Sequence, residues 1–153
     1  MLPIEPNIPL RRLNIVGAQL TSLTLDSQNL ISDLDLTNCN KLINLTITNC
    51  KLLKSLTLGA SQTELKNVTI ASDVFETFYC SDNKSLTSVV ITSSNLTNVT
   101  ITKCAKLTSV TISGTNLQNL NLSECPNLKT LNITGNINSL ETLNLSNTSI
   151  STI

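Results

Sequence analysis

Histidine is missing from this chain, and with it the commonest general base and metal ligand. Tryptophan is missing too, and Phe75, Phe78 and Tyr79 are the whole aromatic set. A basic groove with interleaved aromatics, which single-stranded nucleic acid requires, is thereby excluded. Charged residues make up 13% of the chain, well under the roughly 25% of an average soluble protein. Ten basic residues cancel ten acidic ones, so no global field draws the chain to nucleic acid or an anionic membrane. No stretch approaches the roughly 18 apolar residues of a membrane-spanning helix. The opening, MLPIEPNIPLRR, lacks a basic region followed by a continuous apolar run, so no signal peptide is read there. Five cysteines (Cys39, Cys50, Cys80, Cys104 and Cys125) are odd in number and include no CxxC pair, which argues against a disulfide framework or a zinc site. Glycine-rich phosphate loops and nucleophile elbows are absent as well. No cofactor is expected.

What the chain does contain is repetition. The frame LxxLxL runs without interruption from Leu10 to the C-terminus. Its first position falls at Leu10, Leu20, Ile31, Leu42, Leu53, Leu65, Phe75, Leu86, Leu96, Leu107, Leu117, Leu128, Leu140 and Ile150. The fourth position is always Leu, Val, Ile or Phe; the sixth is Leu or Ile except for Cys80, itself a small hydrophobe. These columns alternate with polar neighbours, the period-two signature of a strand with one buried face. Enrichment in threonine, valine and isoleucine agrees with strand. No segment carries a capped 3.6-residue apolar period, so little or no helix is expected.

The phrases come in two kinds. After those starting at Ile31, Phe75, Leu96 and Leu117 the next follows in eleven residues, usually through links such as CNKL, CAKL and CPNL. Links of the other kind, SSNL and GTNL, often close in ten. A coil of ten or eleven residues would have a perimeter of about 35 Å at roughly 3.3 Å per residue, too tight for two apolar layers and two turns. The structural period is therefore about 21 residues, with two strands per turn.

The frame LxxLxLxxCxxL, read at Ile31–Leu42, Leu96–Leu107 and Leu117–Leu128, resembles a leucine-rich repeat. With LxxLxL in both halves of a 21-residue turn, it is similar to the short nested repeats of bacterial type. The resemblance covers Leu10 to Ile153 and implies a right-handed solenoid with a parallel sheet on one side. Here the second half also reads as strand, where most family members carry helix or irregular backbone, so a flat β-rich solenoid with strands on both sides is expected. The resemblance further implies that Cys39, Cys104 and Cys125, at the ninth position, point inward and bond to turn backbone. Asn83 takes the same place in its coil and Cys50 is the equivalent in the other phase. Inert buried thiols are expected there.

Residues 1–9, with Pro3, Pro6 and Pro9, read as a capping segment that cannot form a central strand; residues 10–153 read as one solenoid domain. The last phrase, ISTI, brings no polar capping element, which a solenoid needs. A longer repeat array, or self-association through that edge, is the expectation.

The register also names the surfaces. On the first-phase face one outward row is Asn14, Asp35, Thr57, Tyr79, Thr100, Asn121 and Asn144; its neighbour is Arg12, Asp33, Ser55, Thr77, Asn98, Asn119 and Thr142. The opposite face centres on Thr24, Thr46, Thr69, Val90, Thr111 and Asn132, with Asp26 its only outward charge. Asp33 and Asp35 read as a solvated acidic pair rather than an acid–base dyad. Nine N-x-S/T sequons occur, six of them mid-strand where alternation generates the motif automatically.

The expected function is a non-catalytic recognition module of leucine-rich-repeat kind, not an enzyme. It would bind a protein or glycan through the first-phase face, with Tyr79, Arg12, Asp33, Asp35, Thr77, Asn98, Thr100 and Asn121 as contact residues. Aromatic anchors dominate such interfaces, which puts Tyr79 at the centre. The alternative is a spacer segment of a larger surface protein; an ice-binding solenoid is third, because Thr46/Thr48 and Thr100/Thr102 form Thr-x-Thr pairs, although on opposite faces. Free cysteines point to a reducing compartment, and the charge-poor Ser/Thr/Asn surface to the cell exterior, which is preferred.

Overall fold

A computed structural model describes residues 2–3, 12–15, 19–58, 63–135 and 137–151. Leu10, Gly59, Ile153 and the first nine residues other than Leu2–Pro3 lie outside the described residues, and Arg12 and Asn14 are described in backbone only. Among the described residues fourteen strands follow one another: β1 (Leu2–Pro3), β2 (Arg12–Asn14), β3 (Ser22–Asp26), β4 (Asp33–Asp35), β5 (Asn44–Thr48), β6 (Ser55–Thr57), β7 (Asn67–Ala71), β8 (Thr77–Ser81), β9 (Ser88–Thr92), β10 (Asn98–Thr102), β11 (Ser109–Thr115), β12 (Asn119–Asn121), β13 (Thr130–Gly135) and β14 (Thr142–Asn144). Odd-numbered strands form one seven-stranded sheet and even-numbered strands the other, each in chain order. All pairings are parallel. The chain is a β-solenoid of about six turns, with no helix among the described residues.

The register is the one the alternation dictates. In the odd sheet Leu23 pairs with Leu45, then Val68, Val89, Val110 and Leu131, in steps of 22, 23, 21, 21 and 21 residues. In the even sheet Leu34, Leu56, Phe78, Val99, Leu120 and Leu143 pair in succession. Each inward residue therefore sits on its counterpart one coil away, and the two sheets close one aliphatic core. Leu45, Leu56, Val68, Val99, Val110 and Leu120 are all buried. Each such side chain contributes roughly 1.5–3 kcal/mol. Phe75 and Phe78 are also fully buried, which leaves Tyr79 as the one aromatic outside.

Thr46, Thr69, Thr100 and Thr111 point outward as expected, but they are half-buried rather than fully solvated. In a parallel sheet each is flanked at about 4.8 Å by its counterparts above and below, which shield its sides.

Turns are shaped by backbone that few residue types favour. Ser27, Asn49, Asp82, Lys103, Glu124 and Asn147 all have φ between 54° and 58°. Lysine and glutamate have no intrinsic liking for the left-handed region. They are held there by inter-coil bonds: Lys103 N–H donates to Ser123 O at 3.2 Å, and Glu124 N–H to Ser146 O at 2.9 Å. The turn aims the next side chain inward, so Gln28, Cys50, Asn83, Cys104 and Cys125 are buried. Gly114, at φ 70°, bulges β11 so that Thr115 pairs with Gly135.

β13 and β14 are the outermost strands at the same end. There Leu131, Ile133, Leu140 and Leu145 are only partly buried, and Leu143 is 42% exposed where its counterpart Leu120 is 1% exposed.

Two measurements check this architecture. Val99→Asp puts an unpaired charge into the aliphatic stack and is expected to unfold the central coils, whereas Thr100→Asp leaves the melting temperature nearly unchanged; comparable losses from both would refute the register. Hydrogen exchange is expected to be faster in β13 and β14 than in β10 and β12, since each edge strand bonds on one side only; equal protection would show that this end is covered.

Candidate functional site

The even sheet presents the face that carries the expected contact residues. Thr77 and Tyr79 stand on β8, Asn98 and Thr100 on β10, and Asn121 on β12. Thr77 pairs with Asn98, Tyr79 with Thr100, and Thr100 with Asn121, so these five side chains are brought together. Tyr79 is 56% exposed, held on the rigid backbone of a central strand. Asp33 and Asp35 are on the same face but not in the same cluster. They lie on β4, with β6 between them and β8, roughly two strand spacings or 9–10 Å away. Arg12 pairs in backbone with Asp33, one strand farther out.

Each acidic side chain is tied to its own surroundings. Asp33 accepts from Ser32 Oγ at 2.7 Å and from Ser55 Oγ at 2.9 Å. Asp35 accepts the Thr37 N–H at 2.9 Å, and that bond holds its carboxyl below the ordinary value of 3.8. Among the described residues one ion pair occurs, Lys54–Glu76 at 2.8 Å, bridging successive coils beside β6 and β8. It is solvent-exposed and adds little.

Side-chain bonds along this face join the expected Asn98 to Asn119 and Thr142, which were not among the expected contact residues, and Asn144 joins Asn121 in the neighbouring column. Asn119 Nδ2 donates to Asn98 Oδ1 at 2.7 Å, and Thr142 Oγ1 donates to Asn119 Oδ1 at 2.6 Å. Asn121 and Asn144 accept the N–H of Ser123 and Ser146, at 3.1 and 3.0 Å. The signal was present, because all five share two outward columns, but column membership says nothing about which amide atom is used.

A second feature had a weaker signal. Ile47 and Leu53 are six positions apart, Ile70 and Phe75 only five. Beside these turns lies a surface hollow of about 530 Å³. It is lined by Asn49, Cys50, Lys51, Ala71, Ser72, Asp73, Val74 and Thr92.

The thiols are buried and free, as expected of ladder residues. Cys39 Sγ donates to Ile15 O and Cys125 Sγ to Ile101 O, each at 3.6 Å and each one coil back. For Cys104 the Cys125 thiol pulls the pKa down, but the Cys80 thiol and burial outweigh it and push it up to about 12. The Cys104 thiol and burial raise Cys125 as well, and burial raises Cys39 and Cys50. Such thiols are poor nucleophiles at neutral pH. No cluster of three or more His, Cys, Asp or Glu is placed to hold a metal among the described residues.

No protein-family model, no curated protein and no solved structure matches this chain. The leucine-rich-repeat likeness thus rests on the repeat frame itself. No helix among the described residues is long and apolar enough to cross a membrane.

On the opposite face Asp26 anchors the next coil. It accepts from Thr48 Oγ1 at 2.6 Å and Asn49 Nδ2 at 3.0 Å, and these two bonds hold its carboxyl below the ordinary 3.8. A depressed folded-state pKa means stabilisation that is present above about pH 4 and lost as pH falls through the lowered value. Asp26→Asn is therefore expected to lower the melting temperature slightly at pH 7 and to flatten the acid-side dependence below pH 4. An unchanged acid limb in thermal melts would show that the Thr48 and Asn49 bonds do not couple to stability.

Proposed function

We propose that this solenoid is a non-catalytic recognition module of leucine-rich-repeat kind, which binds a partner through its even-sheet face. The observation that carries the reading is Tyr79. It is a large, half-exposed ring on a central strand, surrounded by Thr77, Asn98 and Thr100, small enough to leave it accessible. Aromatic side chains on rigid scaffolds lose little entropy on binding and anchor interfaces. The hydrogen-bonded acidic pair on β4 and the high-pKa thiols support a binding rather than a chemical role for these groups.

The spacer reading is supported by the opposite face, a regular sheet whose outward residues are mostly Ser, Thr and Asn, with Asp26 as its outward charge. Ice binding has less support: the central threonine row is interrupted at Val90, and the adjacent column carries Asp26 and Ala71.

The test is capture from native extract of the source organism on immobilised protein. The Tyr79→Ala/Asn98→Ala double variant is expected to lose specific partners by at least about tenfold, the scale of a lost hot spot, while Thr69→Ala on the odd face retains them. An identical bound set for all three proteins would leave the spacer reading in place.

A further inference from the structure

The even face changes character along the solenoid axis. Its β4–β6 part carries Asp33 and Asp35, beside the Lys54–Glu76 pair. From β8 to β14 the two central outward columns hold only threonine, asparagine and Tyr79, with no acidic or basic residue. A charged ligand would lose hydration over this stretch with no counter-ion to compensate it. A purely apolar one would find a single ring.

The polar groups here are pre-set. Asn121 and Asn144 each use Oδ1 on their own turn backbone, which fixes the rotamer and leaves Nδ2 as an outward donor. The Asn98–Asn119–Thr142 ladder fixes the neighbouring column in the same way. Side chains already held in place cost less ordering entropy on binding. Donors and acceptors recur once per coil, at about 4.8 Å.

Resting on the recognition reading above, we propose that this stretch binds a neutral, extended β-linked polysaccharide laid along the solenoid axis. A hexopyranose ring has an apolar C–H face suited to the Tyr79 ring and a hydroxyl rim that both donates and accepts. An extended β-1,4-linked chain advances per ring by nearly the coil spacing, so successive sugars meet equivalent positions on successive coils. Tyr79 stacks under one ring; Thr100, Asn121 and Asn144 bond to the rings that follow.

The chain supplies its own probe, because it has one tyrosine and no tryptophan. Cello-oligosaccharides of increasing length, titrated into the full chain, are expected to change Tyr79 emission. Affinity should rise with each added ring up to about four, one for each of β8, β10, β12 and β14, and then level off. By calorimetry Tyr79→Ala should weaken the longer oligomers at least about tenfold, Tyr79→Phe should bind them nearly as the parent does, and Asn121→Ala should weaken the tetramer but not the dimer. Affinity independent of length, full affinity in Tyr79→Ala, tighter binding of anionic polyuronate oligomers, or no emission change at millimolar sugar would each overturn the proposal. If the sugars fail while the Tyr79→Ala/Asn98→Ala variant still loses a captured protein, the polysaccharide falls and the recognition reading stands. Failure of both tests removes both.

Discussion

Each inward side chain of this molecule rests on its own counterpart one coil away, and every other feature follows from that stacking. Parallel backbone bonding between coils sets the distance, and period-two alternation sets the direction of each side chain. The two conditions are compatible only when coil length changes little, since a slip of one residue would exchange core and solvent along a whole strand. The observed steps of 21 to 23 residues respect this: extra residues are taken up in turns, and strand pairing stays in phase up to the bulge at Gly114. With no histidine and three aromatics, the core is a stack of aliphatic layers, and Phe75 and Phe78 are its bulkiest members.

The turns show how far a tertiary constraint overrides local preference. Lys103 and Glu124 occupy a left-handed conformation that glycine or asparagine would adopt more readily. Inter-coil hydrogen bonds and the inward thiol that follows hold them there. Neighbouring thiols and burial together raise the pKa of Cys104 and Cys125, and such thiols are poor nucleophiles at neutral pH.

A regular parallel sheet is also an ordered display surface. Tyr79, Asn98 and Asn119 stand on strands that have a neighbour on each side, so the proposed recognition through this face would need no loop ordering. The face divides into an acidic part and a neutral part. The division follows from which coils carry Asp33 and Asp35 and which carry only amides and hydroxyls.

From sequence alone came the period, the two strand rows, the inward and outward columns, and the exposure of Tyr79. All of these follow from alternation and spacing, which are local and repeated many times over. The separation of Asp33 and Asp35 from Tyr79 was implicit in coil order, yet it became a distance only when β6 was seen to lie between them. Sequence could not say that Thr46 and Thr100 are half-buried, because their shielding comes from neighbours one coil away. Nor could it say that Asn119 donates to Asn98, or that Asn121 turns Oδ1 to its own backbone, since an amide has two chemically opposite ends and only its surroundings choose between them. The hollow beside Lys51 and Asp73 was likewise decided in three dimensions, because its lining comes from residues of successive coils.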